Sequence, residues 1–408
     1  MPVPLLDLNG QNLALESELK HAFDRVLRSG QFILGKEVAG FEESVAMLTG
    51  AKHAIAVSSG TDAILLALMA VGIGPGDEVL CPSYTFFATA GCVARVGATP
   101  VFVDSDPVTF NIDVVNAAAR VTPRTKAIIP VHLFGQCAAM DEVLALSAKH
   151  SLMVIEDAAQ SLGATYRGRQ AGTLGQFGAF SFFPSKNLGG FGDGGMLVTN
   201  DEALAERSRL LRTHGAKPKY YHKAVGGNFR FDALQAALLA TKLPHCETYT
   251  RLRQENAAYY TAQLRSLSGV ALANEPAAAD ARVILPVALT GNDHIWNQYT
   301  LRVTGPGRRD ALRELCDARK IGTEIYYPVP MHVQECFQYC GCQPGDLPVA
   351  MKLASEALSI PIYPELTRAQ QDEVIAVLRE FLVQACSDSS IFNELRARSD
   401  RLQGPDRK

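Results

Sequence analysis

Between His53 and Ile155 the chain alternates short apolar runs with helical patterns, and this alternation restricts its fold more than any other feature. Ala54-Ile-Ala-Val57, Glu78-Val-Leu-Cys81, Pro100-Val-Phe-Val103, Ala127-Ile-Ile-Pro-Val131 and Leu152-Met-Val-Ile155 read as strands. Helical segments separate them, one from Asp62, one near Ala88 and one from Asp141 to His150. Strands and helices in this order predict an α/β fold: a mostly parallel sheet with helices on both faces, three layers deep. Ahead of it, helical patterns at Glu16 to Arg28 and Glu37 to Leu48 each end near a glycine, Gly30 and Gly50, as helix C-termini do.

A chain of 408 residues exceeds the usual single-domain size, and with 47% apolar residues it can bury more than one core. After a helix-rich stretch from Glu202 to Leu264, strand Gln298 to Val303, helix Arg309 to Lys320, strand Gly322 to Tyr326 and helix Arg368 to Val383 predict a smaller α+β domain. With Ala273 to Ala281 as the connection, the expected division is a large domain over 1–272, a small domain over 273–386 and a polar tail over 387–408, the tail disordered. A net charge of −3 argues against nucleic acid or an anionic membrane as partner. Met1 to Gly10 lacks the charged start and apolar core of a leader, and no apolar run approaches the roughly 20 residues a membrane span needs. The expectation is a soluble, cytoplasmic protein. Its nine cysteines, odd in number and scattered, read as reduced thiols.

Chemistry concentrates between Ile155 and Gly195. Asp157 closes the strand ending Val154-Ile155-Glu156, at the edge where open α/β sheets place ligands. Lys186 follows 29 residues later (186 − 157), in Pro184-Ser-Lys-Asn187, between hydroxyls and glycines. Either residue alone has a plain reading, a helix-capping aspartate or a loop lysine. Together they match what pyridoxal phosphate requires: an amine to form a Schiff base and a carboxylate to keep the pyridine nitrogen protonated. Ser58-Ser59-Gly60-Thr61 closes a strand and opens a helix, so the N–H groups at Gly60 and Thr61 can take a phosphate, with the Thr61 hydroxyl beside them. Ser181, five residues before the lysine, supplies a further hydroxyl for the phosphate or satisfies a neighbouring carbonyl.

These motifs resemble the DegT/DnrJ/EryC1/StrS family of nucleotide-sugar aminotransferases, of the aspartate-aminotransferase type (fold type I), from about Leu5 to about Leu382. The resemblance implies a pyridoxal 5'-phosphate enzyme that moves an amino group from an amino acid, L-glutamate, to a keto group on a nucleotide-linked sugar. It makes Lys186 and Asp157 catalytic. Gln160, three residues after Asp157 and so on one helical face with it, is by the resemblance bonded to the cofactor's phenolic oxygen or else is a plain helix-surface glutamine; Phe86 by the resemblance stacks on the ring, or else is a core aromatic. Gly226-Gly-Asn-Phe-Arg230 resembles the family's G-x-N-x-R, whose asparagine, here Asn228, reaches the phosphate of the neighbouring subunit's cofactor; a homodimer with shared active sites follows. Arg230 then meets an anionic group of the nucleotide sugar, or else pairs with Asp232. Tyr327-Pro-Val-Pro-Met-His332 resembles the element bordering the sugar pocket, with Tyr327 and His332 toward the sugar, although a histidine packed between prolines fits as well.

Leu27 to Gly35 and Gly192 to Gly195 are worded more like the branch aminating 3-keto sugars than the 4-keto branch. The family's dehydratases carry histidine where Lys186 stands. A cofactor-binding regulator without turnover, and lyases or racemases of the same fold type, are the remaining readings. His332 with Cys336, Cys340 and Cys342 invites a zinc site but lacks paired C-x2-C spacing. Lys217, Lys219 and Lys223 line a diphosphate's path or form a solvated loop.

Overall fold

The computed structural model describes residues 2–383. Its first half builds β1 (His53–Val57), β2 (Glu78–Pro82), β3 (Thr99–Val103), β4 (Thr125–Ile128), β5 (Met153–Asp157), the short pair β6 (Thr165–Tyr166) and β7 (Arg169–Gln170), then β8 (Phe177–Ser181) and β9 (Gly195–Thr199). Seven of these form one sheet in the order β1-β9-β8-β5-β4-β2-β3. From β8 through β5, β4 and β2 to β3 the pairing is parallel; β9 runs antiparallel to both β8 and β1.

The predicted three layers are present. In β1 alternate residues face opposite sides. Ala54 and Ala56 join a core with Phe41, Phe182 and Leu239, under the helices Glu16–Ser29, Lys36–Thr49 and Ala233–Lys242. Ile55 and Val57 join another with Leu66, Cys92 and Ala205, under the helices Gly60–Val71, Phe87–Arg95 and Glu202–Leu211.

Register places the chemistry. Val57 and Ser181 both pair with Gly195, and two residues back along β8 Ala179 pairs with Asp157. The ends of β1, β8 and β5, and the loops leaving them, therefore lie along one edge of the sheet.

A second sheet, β10 (Val270–Leu272), β11 (Val283–Leu285), β13 (Tyr299–Val303) and β14 (Ala357–Ile360), follows the order β10-β11-β13-β14, while β12 (Asn292–Asp293) pairs with β6. Its core gathers Leu301, Leu312, Leu358 and Leu378 with Tyr260 and Leu264 from the helix Cys246–Arg265. Helix Arg308–Ala318 lies close to the predicted one, and the segment 368–383 is helical as expected. β10 already belongs to this sheet, ahead of the segment read as the connection. The strand expected over Gly322 to Tyr326 does not form. Gly322 is wedged against Leu5, whose nitrogen an added Cβ would meet at 2.5 Å. The segment therefore makes only single bridges, Ile321 to Val3 and Glu324 to Ser359. The strand that does form, β14, follows the helix Pro348–Glu356 directly and was not foreseen. The expected tail over 387–408 lies outside the described residues.

Candidate active site

Asp157 ends β5 buried, and the N–H of Ala159 and the hydroxyl of Thr89 donate to its two oxygens at 3.2 and 2.8 Å. Burial pushes its carboxyl above the ordinary range, opposed by those two bonds and by the charge of Lys186. Thr89 went unrecognised in the sequence. Its signal was a hydroxyl on the first turn of a short helix, Phe87–Arg95, whose next residues are the small Ala90, Gly91 and Cys92.

Next to Asp157, Glu156 is fully buried and points the other way along the strand. It accepts from the N–H groups of Gly172, Leu174 and Gly175 at 2.8, 2.7 and 2.6 Å and from His132 Nε2 at 2.8 Å. Ala138 N donates to His132 Nδ1 at 3.1 Å, which leaves the ring proton on Nε2, facing Glu156. Two adjacent carboxylates thus have separate roles: Glu156 anchors the 172–175 loop, and Asp157 faces the site.

Beyond Asp157 no helix begins. The chain turns at Ala158–Ser161 and again at Ser161–Ala164, around Gly163 at φ +92°. The helical face expected to carry Asp157 and Gln160 is therefore absent, and Gln160 is held by tertiary contacts instead. Its Oε1 accepts from Phe134 N at 2.6 Å, and its Nε2 donates to the Tyr327 hydroxyl at 2.9 Å. Tyr327 stands edge-on to Tyr84, 5.6 Å between centroids.

Lys186 occupies a tight loop. Burial draws its amine down to about 8, against the pull of Asp157. The loop closes where Gly189 meets Pro184; a Cβ on Gly189 would stand 2.1 Å from the Pro184 carbonyl oxygen. Three side chains hold its backbone and flank from outside. Gln235 Oε1 accepts from Phe191 N at 2.9 Å, Lys242 Nζ donates to the Gly189 carbonyl at 2.6 Å, and Asn187 Nδ2 donates to Thr250 Oγ1 at 3.0 Å. Lys242, buried and also bonded to Asn12 Oδ1 at 3.1 Å, has its own amine drawn down to about 8 by burial. Lys242→Met keeps the stem and removes the staple. It is expected to cost about 1–3 kcal/mol for the carbonyl left unpaired and to weaken cofactor retention, read by thermal melting and by cofactor dissociation.

The residues expected to take the phosphate also converge. Ser59 caps the helix Gly60–Val71, its hydroxyl accepting from Asp62 N at 3.0 Å, so the Gly60 and Thr61 N–H groups lie at the helix start. Gly60 abuts Ser181, and a Cβ there would stand 2.8 Å from the Ser181 Cβ. Only glycine lets the helix N-terminus and this hydroxyl share one spot. Phe86, at the edge of the neighbouring loop, is 59% exposed with no ring partner among the described residues, whereas Phe87 stacks on Phe337 at 5.6 Å.

Asn228 and Arg230 line a cavity of about 450 Å³ with Ser58, Ser59, Asp62 and Asp193. Arg230 makes no salt bridge with Asp232 among the described residues, and its Nε is buried without a partner. His332 is not brought to this group. It is 1% exposed, with Nδ1 on Ser83 Oγ at 2.6 Å, among the apolar side chains of Met331 and Phe337. The flanking prolines and the apolar run that follows fold it inward, with its Nε2 unpartnered. The described residues bring no three His, Cys, Asp or Glu side chains together for a metal, and contain no helix long and apolar enough to cross a membrane.

A buried amine of lowered pKa, a buried carboxylate, and a glycine cradle with hydroxyls at a helix start fit pyridoxal phosphate on a fold type I sheet. Over residues 14–379 the chain matches the DegT/DnrJ/EryC1/StrS aminotransferase family, and it belongs to that family. It is 49% identical to a pleiotropic regulatory protein of Geobacillus stearothermophilus, over 93% of this chain and 99% of that one. It is 42% identical to a UDP-N-acetyl-3-dehydro-alpha-D-glucosamine 3-aminotransferase of Acidithiobacillus ferrooxidans, over 93% and 98%. Among solved structures, S. venezuelae DesV in complex with a ketimine intermediate superposes with a TM-score of 0.87 at 43% identity, covering 93% of this chain and 98% of that one.

Proposed function

We propose that the protein transfers the amino group of L-glutamate to the 3-keto group of a nucleotide-linked sugar, giving an amino sugar and 2-oxoglutarate. The observation that carries this reading is the pair of Asp157 and Lys186, buried and acting on each other's charge, beside the Gly60–Ser181 cradle. Pyridoxal phosphate, when bound, supplies the electron sink that lets the amino acid's Cα–H bond ionise. The chain's own residues do the rest. Lys186 holds the cofactor at rest and, once released, its Nζ carries the proton from the substrate carbon. Asp157 holds the ring-nitrogen proton. Gly60, Thr61 and Ser181 fix the phosphate, Gln160 orients the phenolic oxygen, and Phe86 covers the ring against water.

The 3-keto preference is supported by the wording of Leu27 to Gly35 and by relatives named as 3-aminotransferases. A homodimer completes the reading, with Asn228 and Arg230 turned to the neighbouring subunit's cofactor and nucleotide. Ile33 at the rim of their cavity, with Phe32, Phe191, Tyr220 and Tyr221 exposed, supports such a contact. The eight free cysteines of the described residues support a reducing, cytoplasmic setting.

The test is absorbance through the near-ultraviolet and visible, before and after L-glutamate without acceptor. The cofactor band is expected to shift while 2-oxoglutarate is released, and a nucleotide 3-keto sugar to restore it. A second reading, a cofactor-binding regulator, is raised by the name of the Geobacillus relative; a band unmoved by any amino acid would favour it.

A further inference from the structure

Gln160 is gripped at both ends of its amide. Phe134 N can only donate, so the end that meets it at 2.6 Å is the oxygen, and the end on the Tyr327 hydroxyl at 2.9 Å is Nε2. Among the described residues the second Nε2 hydrogen has no acceptor, which leaves it to donate to a bound oxygen.

The two residues making this grip share an unusual backbone. Phe134 has φ +59° and Tyr327 φ +58°, in the left-handed region that bulky side chains avoid. Their rings lie nearly parallel, 15° between planes and 6.5 Å between centroids. Such residues persist only where their surroundings over-determine them. Around Phe134 this is done by Asn111, whose Oδ1 accepts from Leu133 N at 2.9 Å and whose Nδ2 donates to the Gln136 carbonyl at 3.1 Å.

Around Tyr327 it is done by Ser83 and Tyr84. On the N-terminal side the Tyr84 hydroxyl donates to the Tyr326 carbonyl at 3.0 Å. On the C-terminal side Met331 N donates to the Ser83 carbonyl at 2.8 Å. The Ser83 hydroxyl accepts from His332 N at 3.3 Å, and its own hydrogen has His332 Nδ1 for acceptor at 2.6 Å. Ser83 is fully buried and tied to the large sheet, its N–H donating to the Val103 carbonyl at 2.9 Å. The segment 326–332 is therefore clasped at both ends, with Tyr327 inside the clasp.

We propose that Ser83, His332 and Tyr327 are positioning residues for the cofactor: the Ser83–His332 clasp holds Tyr327 left-handed, and Tyr327 holds the Gln160 amide with its nitrogen toward the phenolic oxygen. The inference rests on the reading of Gln160 given above. It moves the work of Tyr327 and His332 to a stage before any sugar binds.

The test reads the cofactor band of the loaded protein by absorbance and circular dichroism, first without substrate and then through the first half-reaction with L-glutamate alone. Tyr327→Phe, Ser83→Ala and His332→Leu are each expected to displace the band and to slow the half-reaction about tenfold, the effect of one hydrogen bond to a charged oxygen. His332→Asn, whose side-chain oxygen can accept from Ser83 where Nδ1 does, is expected to keep the parental band and rate. On the Tyr327→Phe background Ser83→Ala is expected to cost less than about twofold more, because both act by one route. Ser83→Ala removes a single atom and keeps the clasp testable if His332→Leu does not fold. A parental band and half-reaction in Tyr327→Phe and Ser83→Ala, with only the affinity for a nucleotide sugar lowered, would overturn the inference and assign these residues to the sugar. Full additivity of the two costs would overturn it as well. A parental band that no amino acid moves would instead remove the aminotransferase reading, and the comparison of bands would still decide the clasp.

Discussion

Lys186→Ala is expected to lower turnover at least about 10⁴-fold, because the substitution removes at once the covalent anchor and the base that carries the proton. Cofactor should still bind through Gly60, Ser181 and Asp157, so the variant keeps near-ultraviolet absorbance but loses the band of the lysine-bound form. Single-turnover absorbance with L-glutamate checks both points, and turnover retained within tenfold of the parent would end the catalytic assignment. The pH dependence follows from the same side chain. The attacking form is the free amine, which predominates above a pKa drawn down to about 8. Cofactor capture by the unloaded parent protein should therefore rise about tenfold per pH unit below pH 8 and level off above it. A lysine at its ordinary value would keep rising past pH 10.

Asp157→Asn is expected to cost roughly 10³-fold in the first half-reaction, while cofactor affinity changes far less. The asparagine keeps the shape and can still accept from Thr89, but it cannot balance a protonated ring nitrogen. Stability should move the other way. Burial raises the carboxyl pKa, so the folded, unloaded protein is penalised for the ionised group at pH values above that raised pKa, and the penalty fades as the pH falls through it. Removing the charge is therefore expected to raise the melting temperature of the unloaded protein at pH 7. A variant both slower and less stable would mean that Asp157 supports the fold rather than the cofactor.

The sheet was legible because its strands are short, apolar and separated by helices of ordinary length. The segment Gly322 to Tyr326 misled because an Ile-Tyr-Tyr run looks like a strand while its neighbours, the Leu5 backbone and β14, leave it only single bridges. Asp157, Lys186 and the Gly60 turn were readable because each sits beside its own strand end. Thr89 and Lys242 were not, since their placement depends on contacts spanning 68 and 53 residues. His332 was legible as part of a motif, while its packing inward on Ser83, 249 residues away, was not.

Val3 pairs with Ile321, bonded to Lys320 and Gly322 at 2.9 and 2.8 Å, and nine residues after Val3 Asn12 meets Lys242 below the lysine loop. Val3 is thus made long before the strand end it pairs with. At about 5–20 residues per second it waits roughly 15–60 s for its partner strand end to be made. Over that interval Leu6 lacks the core of Leu301 and Leu358 that it packs against. The core of the second sheet is completed only when this early segment closes against it.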